Sequence, residues 1–340
     1  MSATTPQARN PLRSPPPPIA GTLRWARGAF ATSVLLVIAK FGLFAATGSS
    51  AILSDALESI VNVGTGLFML YAVRLAAQPR DEDHPYGHGK VEYLAAGLEG
   101  FLMVFAGLAV GVVAISRAHQ VEPISRIDAG VIGTFAIALF TLIAGVLVER
   151  AGRRAESISL ESDGQHLKAD AITSLAVGTG LVLVWVTGLR LFDTLTAVGV
   201  ASWLVFAGAR ILRRSLAGLM DEAMPEILHV IADELEALRE PGWVAPHHAK
   251  VHRLGQAIHI DIHLVFPRFW TIERTHACAE RVEAALKERF GPRTDVMVHQ
   301  EPCTPRSCSY CDLEACPVRG FPFAARNPWT GSSIARTRRP

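Results

Sequence analysis

AGVIGTFAIALFTLIAGVLV, residues 129–148, runs for twenty residues without a charge. At ~1.5 Å of rise per helical residue, such a run crosses the ~30 Å hydrocarbon core of a bilayer. Residues 94–116, with Glu99 as their single charge, and residues 171–189, with none, repeat the pattern. Working outward from these runs gives six hydrophobic segments, at about 26–47, 51–77, 91–116, 129–149, 159–188 and 191–210. The 340-residue chain is 50% hydrophobic and 19% charged, with a mean hydropathy of +0.28. A soluble protein carries nearer ~25% charged residues, so a soluble enzyme is excluded. A nucleic-acid binder is excluded too, because 33 basic and 31 acidic residues leave a net charge of only +2 and no basic stripe.

The flanks of the segments set their orientation. Thirteen arginines and lysines lie on one set of flanks and loops, against Arg117, Arg126 and Arg190 on the other. The positive-inside rule then puts both termini in the cytoplasm. Residues 1–24, with the run Pro15–Pro18, read as a disordered arm. A cleavable signal is not expected, because the first apolar run is too long for one. The membrane domain is expected over 25–214, a cytoplasmic domain over 215–302 and a Cys-rich tail over 303–340.

The cytoplasmic part changes period. Residues 225–240 place Ile227, Ile231, Leu235 and Leu238 on one helical stripe, and QAIHIDIHLV (256–265) alternates as a half-buried strand. With a strand at 249–254, a helix at 271–290 and a strand at 294–300, the order is α-β-β-α-β. The expectation is a small α+β domain of ferredoxin-like kind behind six transmembrane helices.

Polar residues inside apolar segments point to the chemistry. Asp55, Glu58 and Asn62 lie in the second segment, and His166 and Asp170 in the fifth. Glu58 and Asn62 are four apart, as are His166 and Asp170, so each pair shares a helix face. In antiparallel helices all four fall roughly 12 to 20 Å below the outer face. A buried carboxylate at that depth costs at least ~2.5–3.5 kcal/mol and marks a pathway. One imidazole with carboxylate and amide oxygens suits a divalent transition metal; the alternative is a polar clamp between helices with no ion. In the loop DEDHPYGHGK (81–90), Asp81, His84 and His88 have metal-ligand spacing, or form a solvated turn. Cys303, Cys308, Cys311 and Cys316 supply four thiols in the tail, with Cys278 alone upstream. A reducing address disfavours disulfides, which leaves a Zn(Cys)₄ knuckle, unpaired thiols or an iron–sulfur cluster.

SDALESIVNVGTG, QPRDEDHPYGHGKVEYLAAG, SDGQHLKAD and LMDEAMP, in this order, resemble the cation diffusion facilitator family of divalent-metal transporters over about residues 25–302. The resemblance implies a homodimer in the plasma (inner) membrane that exports Zn²⁺, or Fe²⁺, Mn²⁺ or Co²⁺, in exchange for protons. It implies a transport site of Glu58, Asn62, His166 and Asp170, with no organic cofactor and no enzymatic activity. The family usually has Asp or His in place of Glu58 and Asp in place of Asn62, and Asp55 is the nearest group able to supply a missing charge. The resemblance also implies a loop site at Asp81, His84 and His88, and a charge pair of Lys90 with Asp221 at the dimer interface. In the cytoplasmic domain it implies metal ligands His252, His263, His276, His299 and Glu301. His229, His247, His248 and His259 match no family role, and Lys40 is given none. The neutral Asn62 keeps open a non-transporting metal sensor or partner subunit on the same scaffold. A membrane metalloenzyme would need a motif such as HExxH, and the chain has none.

Overall fold

The computed structural model describes residues 19–47, 50–117, 129–187 and 191–337, which divide into two units meeting at Met220/Asp221. The expected arm lies outside the described residues up to Pro18, but α1 (Ile19–Thr47) starts immediately after the proline run. Its first turns belong to the bundle, since Thr22 and Ala26 are fully buried. Proline cannot extend a helix backward but tolerates one starting after it. The other membrane helices are α2 (Ser50–Ala76), α3 (Val91–Arg117), α4 (Ala129–Ala155), α5 (Ile158–Thr187) and α6 (Leu191–Leu219).

Among the described residues, five of these helices, α1 to α4 and α6, are long and apolar enough to cross a membrane. The fifth in sequence carries Glu161, Asp163, Lys168 and Asp170 in its first half and packs among α4, α6 and α3. The bundle is inverted relative to a soluble core. Its buried positions are mostly small, such as Ala29, Ala72, Ala96, Ala138 and Ala169, while Ile38, Phe105, Ile132 and Phe206 face outward. Lipid tails solvate large side chains as well as a core would, so helices associate through close backbone contact instead.

Two seams show that contact. Along α3 and α6, a Cβ on Gly100 would stand 2.7 Å from the Leu212 nitrogen, and one on Gly208 would stand 2.7 Å from the Gly100 oxygen. Along α4 and α5, a Cβ on Gly152 would run into the Glu161 backbone, and one on Gly164 into that of Glu149. Ion pairs fasten the ends of the same helices. Glu149 accepts from Lys168 Nζ and Arg153 Nη2, each at 2.6 Å, and Glu161 accepts from Arg214 Nη1 at 2.7 Å.

The second unit is built as the sequence suggests, from α7 (Pro225–Leu238), β1 (Ala245–Leu254), β2 (Ala257–Phe266), α8 (Ile272–Phe290) and β3 (Thr294–Pro302). The sheet order is β1-β2-β3, antiparallel for the first pair and parallel for the second. A parallel pair needs a crossover, and α8 supplies it, started by Thr271 accepting from the Arg274 N–H at 3.3 Å. Ile258, Ile260, Ile262 and Leu264 face the helices and pack with Ile231, Leu235, Val282 and Leu286.

Two features depart from expectation. β1 begins at Ala245, four residues early, and carries a bulge between His247 and Lys250, where His248 has φ +54°. The chain after Cys303 folds onto the unit: a short helix α9 (Gly331–Ile334) packs on α7, and Trp329 and Ile334 complete the core. Arg239 lies over the Trp329 ring at 4.1 Å.

Candidate metal centres

Inside the bundle, α2 and α5 bring Asn62, His166 and Asp170 together. Asn62 Nδ2 donates to Asp170 Oδ2. His166 Nε2 lies 3.0 Å from Asn62 Oδ1 and 3.6 Å from Asp170 Oδ1. Asn62 and His166 are buried. The Glu58 side chain lies outside the described residues. Its position on α2 is one turn before Asn62. An amide oxygen, an imidazole nitrogen and a carboxylate thus converge in a low-dielectric setting suited to a divalent cation.

Asp55 is committed elsewhere. Lys40 Nζ, from α1, donates to Asp55 Oδ1 at 2.9 Å and to Ser59 Oγ at 2.7 Å. The charge that Asp55 could supply to the metal is engaged here in neutralising the buried ammonium. Lys40, which the sequence left without a role, takes that one.

Two further carboxylates stand near the centre. Glu99 on α3 and Asp163 on α5 are buried, and neither Glu99 oxygen nor Asp163 Oδ2 finds a hydrogen-bond partner among the described residues. They are within electrostatic reach of each other, and Asp163 of His166 and Asp170. Sequence reasoning noted Glu99 only as a lone charge and passed over Asp163. Its spacing of three before His166 puts it on the ligand face and could have found it.

In the loop between α2 and α3, the ligating atoms of Asp81, His84 and His88 lie within 4.8 Å of one another. Asp81 Oδ1 accepts the His84 N–H at 2.7 Å, and its Oδ2 lies 3.3 Å from His88 Nε2. Desolvation would raise the Asp81 carboxyl, but the His84 N–H, the His84 ring and the charges of both histidines outweigh it, holding the group below its ordinary range. The site sets an anionic Asp81 against two imidazole rings, a donor set a metal ion can take.

On the sheet face away from the helices, His263 on β2 pairs with His247 on β1 and with His299 on β3. His263 Nδ1 lies 3.0 Å from Glu301 Oε1, His247 Nε2 3.5 Å from Glu301 Oε2, and His299 Nε2 3.8 Å from Glu301 Oε1. His247, His263 and Glu301 form the second compact ligand group. His252 is not part of it: it pairs with His259 in register and lies 3.6 Å from Asp221. His276 is exposed beside Glu280, at 3.5 Å. His247, which matches no role in the resemblance, is the residue that the bulged end of β1 brings beside His263 and Glu301. Asp221 opens this unit and Lys90 lies in the other.

In the tail, Cys303, Cys308, Cys311 and Cys316 line one small cavity. Cys278 is buried separately against α7 and the sheet.

Comparison with known proteins fits this arrangement. The cation efflux transmembrane domain matches residues 27–220, and the cation efflux protein cytoplasmic domain matches residues 224–303. The chain is 37% identical to the "uncharacterized transporter sll1263" of Synechocystis sp., over 80% of this chain and 88% of that one. It is 30% identical to the "cation-efflux pump FieF" of Yersinia pestis and of Yersinia pseudotuberculosis, over 83% of this chain and 94% of theirs. The first match covers the helical bundle and the second the three-stranded unit, and the chain belongs to the cation efflux family of membrane transporters.

Proposed function

We propose that the chain exports a divalent cation from the cytoplasm in exchange for protons, as a homodimer in the plasma membrane with both termini cytoplasmic. Zn²⁺ is the first candidate, with Fe²⁺, Mn²⁺ and Co²⁺ as alternatives. The observation that carries this reading is the convergence of Asn62, His166 and Asp170 between α2 and α5. Glu58 is the proposed fourth ligand from its place on α2. The imidazole favours Zn²⁺, while the oxygen ligands and neutral amide admit harder ions.

His166 must lose its proton to bind metal. The centre can therefore exchange a cation for a proton, and a proton-rich compartment drives release. Asp81, His84 and His88 are proposed as a loop metal site. His247, His263, Glu301 and the neighbouring His299 are proposed as a cytoplasmic site that senses metal. The Lys90–Asp221 pair stays a proposal from family resemblance.

Flux into proteoliposomes tests the reading. Wild type is expected to accumulate Zn²⁺ in acidic-lumen vesicles and to stop when a protonophore is added. Asp170→Ala and His166→Ala are expected to abolish flux with the protein still folded. Transport by either variant at the wild-type rate refutes the site. Binding without flux by the wild type points to a sensor, and flux indifferent to the pH gradient points to another coupling ion.

A further inference from the structure

The segment from Cys303 to Pro328 holds its shape with almost no apolar support of its own. Its regular structure is one short 3₁₀ helix, Pro305–Tyr310, and two of its largest apolar side chains, Phe321 and Phe323, face outward. What it buries are two thiols and the Ser307 hydroxyl. Cys308 and Cys311 are each only 7% exposed, and Cys311 packs with Val244 and Val265. A short irregular segment without a core needs another fastening, and metal ions commonly supply it.

The surroundings of the sulfurs suit thiolates better than thiols. The Arg268 N–H donates to Cys303 Sγ at 3.4 Å and the Gly320 N–H to Cys308 Sγ at 3.3 Å. A neutral thiol is a weak acceptor, whereas a metal-bound thiolate takes such bonds well. Arg319 is pinned beside the cavity by donating to the carbonyls of Cys308 at 3.3 Å and Cys311 at 3.2 Å. The cavity holds about 10 Å³, room for about one atom the size of a water. Four thiolates around a divalent ion leave two negative charges, and the two guanidiniums lining the cavity balance them.

We propose that Cys303, Cys308, Cys311 and Cys316 bind one Zn²⁺ as a structural tetrathiolate centre that fastens the tail to the ends of β2 and β3. No three of the sulfurs stand within 4.8 Å of one another among the described residues. Closing the shell therefore requires the thiol side chains to turn into the cavity they already line. Four thiols lose their protons as the ion binds. The anchor is Cys303, whose N–H donates to Phe266 O at 2.7 Å and which follows Glu301 by two residues. The centre thus fixes the strand end that carries a cytoplasmic ligand, and it stands whether or not the transport reading holds.

The test uses full-length protein purified under reducing conditions in detergent, in a background of Asp81→Ala, His263→Ala and Asp170→Ala that disables the other candidate sites. Elemental analysis is expected to find one Zn²⁺ per chain, and Co²⁺ reconstitution to give thiolate charge-transfer and tetrahedral ligand-field bands. Cys308→Ser with Cys311→Ser is expected to lose both. Should that pair fail to fold, Cys316→Ala is expected to yield its metal to a chelator far sooner than Cys316→His, which keeps four ligands. A background protein without zinc whose four thiols react freely overturns the proposal. So does a cobalt spectrum without thiolate bands, iron–sulfur absorption, or equal chelator resistance in the two Cys316 variants.

Discussion

At the scale of single residues, the buried centre differs from a plain pair of acids by one neutral amide. Asn62 uses both ends of its amide, donating to Asp170 and approaching His166 with its oxygen. Asn62→Asp adds a formal charge beside an existing carboxylate, so the empty site should be less comfortable and the filled one tighter. The expected result is higher Zn²⁺ affinity or a shifted metal preference in competition flux assays. An unchanged profile means Asn62 does not face the cation. Lys40 and Asp55 make a separate case. Lys40→Met leaves Asp55 without its partner, and breaking a buried pair costs about 3–5 kcal/mol, less where a partner is half exposed as Asp55 is. The melting temperature should fall, and Lys40→Met with Asp55→Leu should recover it while transport continues. Loss of flux in the folded double variant would return Asp55 to the ligand set. Glu99→Gln keeps the shape of a fully buried side chain while removing its ionisable carboxyl, so stability should hold or rise. If flux falls while the melting temperature does not, the carboxylate is retained for transport.

At the scale of elements, the glycine seams decide which helices can be repacked. Gly164 stands two residues before His166 and meets the Glu149 backbone directly. Gly164→Leu should separate α4 from α5 and cost more than the ~1–3 kcal/mol typical of overpacking, because backbone cannot yield as a side chain does. Gly64→Ala, with nothing within 4 Å of the added carbon, should be tolerated. Thermal unfolding of the detergent-solubilised protein separates the two. The six long helices and the α-β-β-α-β order were legible because each carries a sustained pattern, of apolar length or of alternation. β1 was legible only from Ala249 onward, since Pro246, His247 and His248 carry no alternation and the bulge breaks the count. His252, named from the resemblance, pairs with His259 in register, while His247 pairs with His263. Trp329 and Ile334 were illegible as core because two isolated apolar residues have no period, and only the folded tail brings them to α7. The α2–α5 centre was readable because i, i+4 spacing survives in any helix. The carboxylate commitments of Asp55 and Glu99 depend on other helices and could not be read.

At the scale of the whole molecule, the ligand face of the sheet gives the second domain something to do in a dimer. A cation held by His247, His263 and Glu301 and shared with a partner would draw two such faces together, with about 2.7 kcal/mol gained at a hundredfold excess over its dissociation constant. Distances between labels on the two domains should shorten as Zn²⁺ is added to wild type. They should stay constant in His247→Ala with His263→Ala, and His252→Ala should behave as wild type. A response lost in His252→Ala would restore the set expected from sequence. The seams in the bundle carry a mechanical consequence. Backbone touches backbone along α3/α6 and along α4/α5, so each pair is expected to travel as one beam. The α2–α5 boundary is looser, since a carbon added at Gly66 would come no nearer to Asp163 Oδ1 than 3.9 Å. Cross-links tying α3 to α6 should then leave flux intact, while those tying α2 to α5 should stop it. Asn62 rides on one side of that boundary, His166 and Asp170 on the other. Parting α2 from the α4/α5 beam far enough to admit water would pull the cation's own ligands apart, so the door and the grip would be a single moving part.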